Sequence, residues 1–433
     1  MNGRSRLRDD NEKPRLAAPN PRSARWAAQV ALPFSGFFLI IAALYHLKPA
    51  TRSLFLESYG VDGLPYAWIL TAVTLGLLMP LYHHLAGRAR HDLMAAGAAL
   101  TLAAALLLLH RLGEGGLDWS RAALVVLVDV GSVILVEQLW SLTNSRFDGD
   151  SARRFYALVG SGGLLGGIAG GLVSAWLLRS TSLQTPDLLL VGAGLIALTA
   201  VPMARLGAGV RLEPVAGSAA DWRLLTAGRY LLLLAAVLLL AQLVAPLAEY
   251  QFLKSVESAY PGRDERTAFL SMFLSLMGVV AVAINLTITR LVHRYLGAVA
   301  GLVAQPIALV VSSLAFFVQP GLSAGALLKI SDRGLAYSIG RASRELLYIP
   351  IDPVRIHRAK AWIDMFGYRL FKGLGSVLVL ASTQWLPASL GAGALSWIIV
   401  AICLAWLAVI AALRAEYCLR VSGLPGCDRR APA

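Results

Sequence analysis

"LLTAGRYLLLLAAVLLLAQLVAPL", residues 224 to 247, carries a single charged side chain, Arg229, in an otherwise Leu-, Ala- and Val-dominated run. A hydrocarbon layer about 30 Å thick is crossed by roughly 20 apolar residues in helical form, so this stretch predicts a membrane span. Working outward, similar windows follow one another with short polar gaps, and the full set of expected spans is 27–47, 64–86, 93–112, 119–143, 153–178, 186–207, 224–247, 268–292, 296–318, 322–348, 360–383 and 389–414. Continuous apolar runs of this kind exclude a transmembrane barrel, which needs short strands of alternating polarity. The expected fold is all-α, a polytopic membrane protein with twelve transmembrane helices. Composition agrees, because 57% of the 433 residues are hydrophobic and only 15% are charged, a balance that no ordinary soluble domain shows.

The formal net charge of +14 follows the same logic. The first 25 residues form a basic, polar tail with no signal-peptide pattern. Placing residues 1–25 in the cytoplasm and alternating sides puts most Lys and Arg on the cytoplasmic face, as the positive-inside rule requires. Attraction to anionic lipid headgroups accounts for further positive charge, so no nucleic-acid partner is needed. Cys403, Cys418 and Cys427 show no metal-ligand spacing, and no nucleophile–base pair, metal cluster or cofactor motif stands out. The expectation is a non-enzyme without cofactor, for which no oligomer is required.

The longest internal polar stretch, "LGAGVRLEPVAGSAADWR" at Leu206 to Arg223, divides the chain. The expected organisation is a six-helix half at 26–207, a cytoplasmic linker at 208–223, a second six-helix half at 224–415 and a cytoplasmic tail at 416–433. A weak repeat supports this division. Asp148 and Arg154 follow span four with the same spacing as Asp352 and Arg358 after span ten, each pair leading into a Gly-containing helix. Parallel duplication about an axis along the membrane normal is the architecture of the major facilitator transporters, with the binding site between halves near mid-bilayer. The short basic loop "GRARHD" at Gly87 to Asp92 fits the same scheme. In "GSGGLLGGIAGG", Gly160 to Gly171, the Lys and Ser or Thr that end a phosphate loop are missing, so its small residues are read as a helix-packing surface.

Charges within the spans carry the functional signal, since each costs about 2.5–3.5 kcal/mol on insertion scales and therefore has a partner or a task. Asp129 and Glu137 lie in span four, Glu249 ends span seven, Lys329, Asp332 and Arg333 lie in span ten, and Asp364, Arg369 and Lys372 lie in span eleven. The spacing allows Lys329 to pair with Asp332 within one helix, a purely structural role. Arg52 and Lys372, one from each half, are candidates to grip phosphate or carboxylate groups. Asp148 with Arg153 or Arg154, and Asp352 with Arg355 or Arg358, are candidate cytoplasmic gates.

Three stretches, "LKPATRSLF" after span one, "LWSLTNSRFDGDSARRFYALVGSGG" across spans four and five, and "RELLYIPIDPVRIHRAKAWIDMFGYRLFKGLGS" across spans ten and eleven, resemble the ATP/ADP translocase family of plastids and intracellular bacteria, a branch of the major facilitator fold. The resemblance implies four charged substrate positions. They fall on Arg52, where the family usually has Lys; near Asp129, with Asp for Glu and an offset of about one residue; on Glu249; and on Lys372. Secondary candidates for the site are Glu137, Arg333 and Arg369, while Asp364 is given a structural role.

The combined expectation is a secondary transporter of the bacterial inner membrane with both termini cytoplasmic. It would move an anionic, phosphorylated, nucleotide-type small molecule by alternating access, as in ATP/ADP exchange. Two alternatives remain at this point: a proton-coupled carrier or exporter of another solute, and a non-transporting membrane receptor or assembly partner.

Overall fold

The computed structural model describes residues 21–86, 91–147, 149–208, 228–348, 359–360, 362–385 and 391–420, and among them every regular element is helical. The first six helices are α1 (Pro21–Tyr59), α2 (Leu64–Ala86), α3 (His91–Glu114), α4 (Trp119–Asn144), α5 (Gly149–Ser180) and α6 (Asp187–Gly207). The second six are α7 (Arg229–Ala259), α8 (Arg263–Tyr295), α9 (Ala298–Val318), α10 (322–348), α11 (362–385) and α12 (Gly391–Arg420). Ten of the described helices, α1 to α9 and α12, are long and apolar enough to cross a membrane. The other two expected spans are also helical. Both are segmented by π-turns, at Ile330–Gly334 and Ala336–Gly340 in α10 and at Ile363–Gly367 and Ala381–Trp385 in α11.

Several helices outrun their expected ends. Span one was placed at 27–47, yet α1 continues through Lys48 and Arg52 to Tyr59. Hydropathy falls at a charge, but a helix does not have to stop there when the charge finds a partner inside the protein. Large apolar side chains cover the outside, among them Leu77, Leu93, Leu108, Trp176, Leu286 and Val318. Such a surface would be a liability in water and is the expected one against lipid tails.

One buried core joins α1 and α3 to α6, centred on Ile40, Leu47, Leu106, Leu135, Leu139 and Ile196. A second joins α7 to α12 and extends through Phe55, Leu56, Leu64 and Trp68 into the first two helices. Close approach of α5 to α1 is set by glycine. A β-carbon on Gly162, Gly166 or Gly170 would come within 2.4, 2.3 and 2.7 Å of the carbonyl oxygens of Phe34, Phe38 and Ala42. The glycine-rich run is therefore a backbone-to-backbone packing ridge, as small residues commonly provide between membrane helices.

Polar contacts between the halves gather at one end, where α1 meets α2, α5 meets α6 and α7 meets α8. Thr185 donates its N–H and its hydroxyl to Asp264 Oδ1 at 2.8 and 2.6 Å. Glu257 accepts from the Val61 N–H at 3.0 Å, and Tyr250 donates to Asp62. Arg263 lies 3.4 Å from Glu57 and donates to Gln184 at 3.2 Å. The guanidinium of Arg266 is buried and clasped by the carbonyls of Ser53, Tyr260 and Pro261. This end is closed.

Candidate functional site

Each half places a charge of its first helix one turn after a proline. In α1 the pair is Pro49 and Arg52; in α7 it is Pro246 and Glu249. Proline has no N–H to donate and relieves the carbonyl a turn earlier of its helical bond, so both helices are locally loosened at this depth. Both prolines and both charged residues line one cavity of about 320 Å³ between the halves.

Both charges are met from the fourth helix of their own half. Arg52 Nη2 donates to Asp129 Oδ2 of α4 at 2.7 Å, and its guanidinium carbon lies 5.9 Å from the centre of the Trp68 ring. Lys48, one turn before Arg52, approaches the other Asp129 oxygen to 3.7 Å with a side chain that is still 40% exposed. In the second half, Lys329 of α10 donates to Glu249. The expected pairing of Lys329 with Asp332 in one helix is thus corrected. The α10 helix passes from α to π geometry at Ile330, which shifts the one-turn register, and Asp332 meets Arg333 instead, with Oδ2 3.2 Å from Nε.

The cavity is lined by five cations, Lys48, Arg52, Lys329, Arg333 and Lys372, and by two carboxylates, Asp129 and Glu249. Four of the five cations have a carboxylate partner; among the described residues Lys372 has none. A ligand placed here meets an excess of positive charge at low dielectric, where charge-assisted hydrogen bonds to oxyanions are strongest. The lining is short of the carboxylate oxygens that a hard cation would require, and no cluster of three His, Cys, Asp or Glu side chains occurs among the described residues.

Of the residues expected from the sequence, Arg52, Asp129, Glu249 and Lys372 all face this cavity, and so does Arg333. Glu137 is exposed and does not line it; eight residues from Asp129 amount to a rotation of about 80° on an α-helix. Arg369 lies in a shallow apolar groove between α2 and α11, beside Ile69, Val73 and Leu370. Asp148, Asp352, Arg355 and Arg358 lie outside the described residues, as do the side chains of Arg153, Arg154 and Asp364. Sequence reasoning missed Lys48, Trp68 and Tyr337 as lining residues and gave Lys329 only a structural part. The signal for Lys48 was present, since its four-residue spacing from Arg52 puts both on one helix face.

The arrangement of two six-helix bundles around a charged central cavity is that of a major facilitator-type membrane protein. The fold matches the solved structures of the nucleoside transporter NupG, with a TM-score of 0.60 at 13% identity over 90% of this chain and 99% of that one, and of the POT family transporter PepTSo, with a TM-score of 0.66 at 12% identity over 92% and 99%.

Residues 215–321 and 318–417 match the family model of the TLC ATP/ADP transporter. The ADP,ATP carrier protein 2 of Chlamydia pneumoniae is 26% identical over 70% of this chain and 67% of that carrier. The chloroplastic ADP,ATP carrier protein 1 of Arabidopsis thaliana is 24% identical over 69% of this chain and 54% of that carrier. The family match lies in the second half of the chain, and the relatives it resembles are carriers by name. The chain spans about two thirds or less of the length of the curated carriers that it matches.

Proposed function

We propose that the protein carries a nucleotide-type, phosphorylated anion across the bacterial inner membrane by alternating access, with exchange of one nucleotide for another. The observation that carries this reading is Lys372, a cation without a carboxylate partner among the described residues, in a cavity that already has more cations than carboxylates. Phosphate oxygens arriving at Lys372 next compete with Asp129 for Lys48 and Arg52, the weaker claim being on Lys48 at 3.7 Å. The names of the carriers it resembles favour ATP and ADP as the pair exchanged.

Exchange has a physical basis in the same residues. An empty cavity with uncompensated positive charge is costly to close off from water, whereas a bound polyphosphate neutralises it, so the loaded protein reorients more readily than the empty one. The halves, 26–207 and 224–415, rock as units because each central carboxylate is held by a cation of its own half. The contacts that must part are those of the closed end, Asp264 with Thr185 and Arg263 with Glu57. With both termini in the cytoplasm, that end faces outward and the expected gate at Asp148 and Asp352 faces inward.

Proteoliposomes loaded with ADP and supplied with labelled ATP test the proposal. Uptake should depend on internal ADP, and Lys372→Ala should lower it at least about 100-fold, the scale of a lost charge-assisted anion contact with its desolvated partners. Equal uptake with and without internal ADP would rule out exchange, and no uptake of any nucleotide would overturn the substrate class.

A further inference from the structure

A second void of about 220 Å³ lies inside the second bundle, enclosed by α7, α9, α10, α11 and α12. It shares Ala245, Arg333 and Tyr337 with the central cavity, so those side chains form the partition between the two. Its walls differ in kind from the cavity's. Tyr337, Tyr368 and Trp406 supply aromatic faces, while Gln242, Gln305 and Asp332 supply polar edges.

Two groups in this wall lack hydrogen-bond partners among the described residues: the Trp406 indole N–H and Asp332 Oδ2, both on buried side chains. Arg333 is near that oxygen but not aligned to donate to it. Leaving a buried donor and a buried acceptor unmade is expensive, and such pairs are uncommon without a reason. The partition also stands on the two successive π-turns of α10, Ile330–Gly334 and Ala336–Gly340, and π-turns concentrate at functional sites because they re-aim side chains that a regular helix would point elsewhere.

From this placement we infer that the side pocket receives the nucleobase of the carried nucleotide, a planar ring with both a donor and an acceptor on its edge, while the phosphates remain at Lys372. The inference rests on the nucleotide reading above. A ring donor reaches Asp332, a ring acceptor takes the Trp406 N–H after a small rotation of the indole, and the aromatic walls cover the ring's faces. The pocket alone is ring-sized; together with the cavity it reaches the range of small-molecule sites, about 300–1,000 Å³.

Calorimetric titration of the purified full-length protein with ADP and with pyrophosphate tests it. The wild type should bind ADP at least about tenfold more tightly than pyrophosphate, the size of one or two satisfied buried hydrogen bonds. Trp406→Phe, which removes the donor and shortens the indole to a single aromatic ring, should weaken ADP binding about five- to tenfold and leave pyrophosphate within about twofold. Ala336→Leu, which fills the pocket from α10, should do the same and stands in if Trp406→Phe fails to fold. Equal affinity for ADP and pyrophosphate in the wild type, or equal weakening of both in the folded variants, would overturn the base pocket and leave the anion site standing. Binding of neither ligand would remove the nucleotide reading and the base pocket with it.

Discussion

The two halves solve the same electrostatic problem with opposite signs. In the first, a base on the opening helix, Arg52, is held by an acid on the fourth, Asp129; in the second, the opening helix brings the acid, Glu249, and the fourth the base, Lys329. A proline stands three residues before Arg52 and before Glu249. The bundles differ in what surrounds the pair. Around Asp129 the helices are regular and α5 is pressed onto α1 by glycine, whereas all the π-turns among the described residues lie in α8, α10 and α11. The comparison teaches that the first half is packed backbone to backbone, and that the second half is where π-turns re-aim side chains around the cavities.

Breaking one partner of a pair tests the symmetry most severely. Asp129→Asn and Glu249→Gln should each destabilise the protein by about 3–5 kcal/mol, the cost of an uncompensated buried charge, while neutralising both partners of a pair should restore most of that loss; thermal unfolding of the purified variants reads both effects. If each half is electrostatically closed on itself, the double variant Asp129→Asn/Glu249→Gln should be additive within about 0.5 kcal/mol, and a larger coupling would show that the pairs act across the central cavity. Packing is tested next. Gly166→Ala in α5 should cost about 1–3 kcal/mol as overpacking, whereas Gly334→Ala in the π-turn of α10, where a β-carbon meets nothing nearer than 3.4 Å, should cause no loss. The smallest effect belongs to the closed end: Thr185→Val removes one of two bonds to Asp264 and should cost about 1 kcal/mol, seen as weaker cysteine crosslinking between positions 184 and 263.

Much of this was legible in the residue order. Continuous apolar runs gave the helical class and the positions of the helices; the cost of a membrane-embedded charge put Asp129, Glu249 and Lys372 in a longer set of span charges, and the family resemblance narrowed that set to these three with Arg52. Partners were harder. Lys329 was matched to Asp332 because a regular helix puts those positions together, and only the π-turn at Ile330 undoes that. Glu137 was grouped with Asp129 by a spacing that drifts around the helix, and Arg369 was counted with Lys372 although it lies in the outer groove between α2 and α11. Helix ends beyond Leu47 and Leu247 were hidden because hydropathy registers the charge and not the partner awaiting it. The side pocket had no signature in the sequence at all, since its walls come from five helices.

The reversed signs also decide which charge waits during synthesis. Asp129 enters the membrane 77 residues after Arg52, which waits on α1. Glu249 waits in the same way for Lys329, 80 residues later. At about 5–20 residues per second, each opening-helix charge is made on the order of ten seconds before its fourth-helix partner, a base in the first half and an acid in the second. An insertion chaperone or a ribosomal pause would matter most in those two intervals, between α1 and α4 and between α7 and α10.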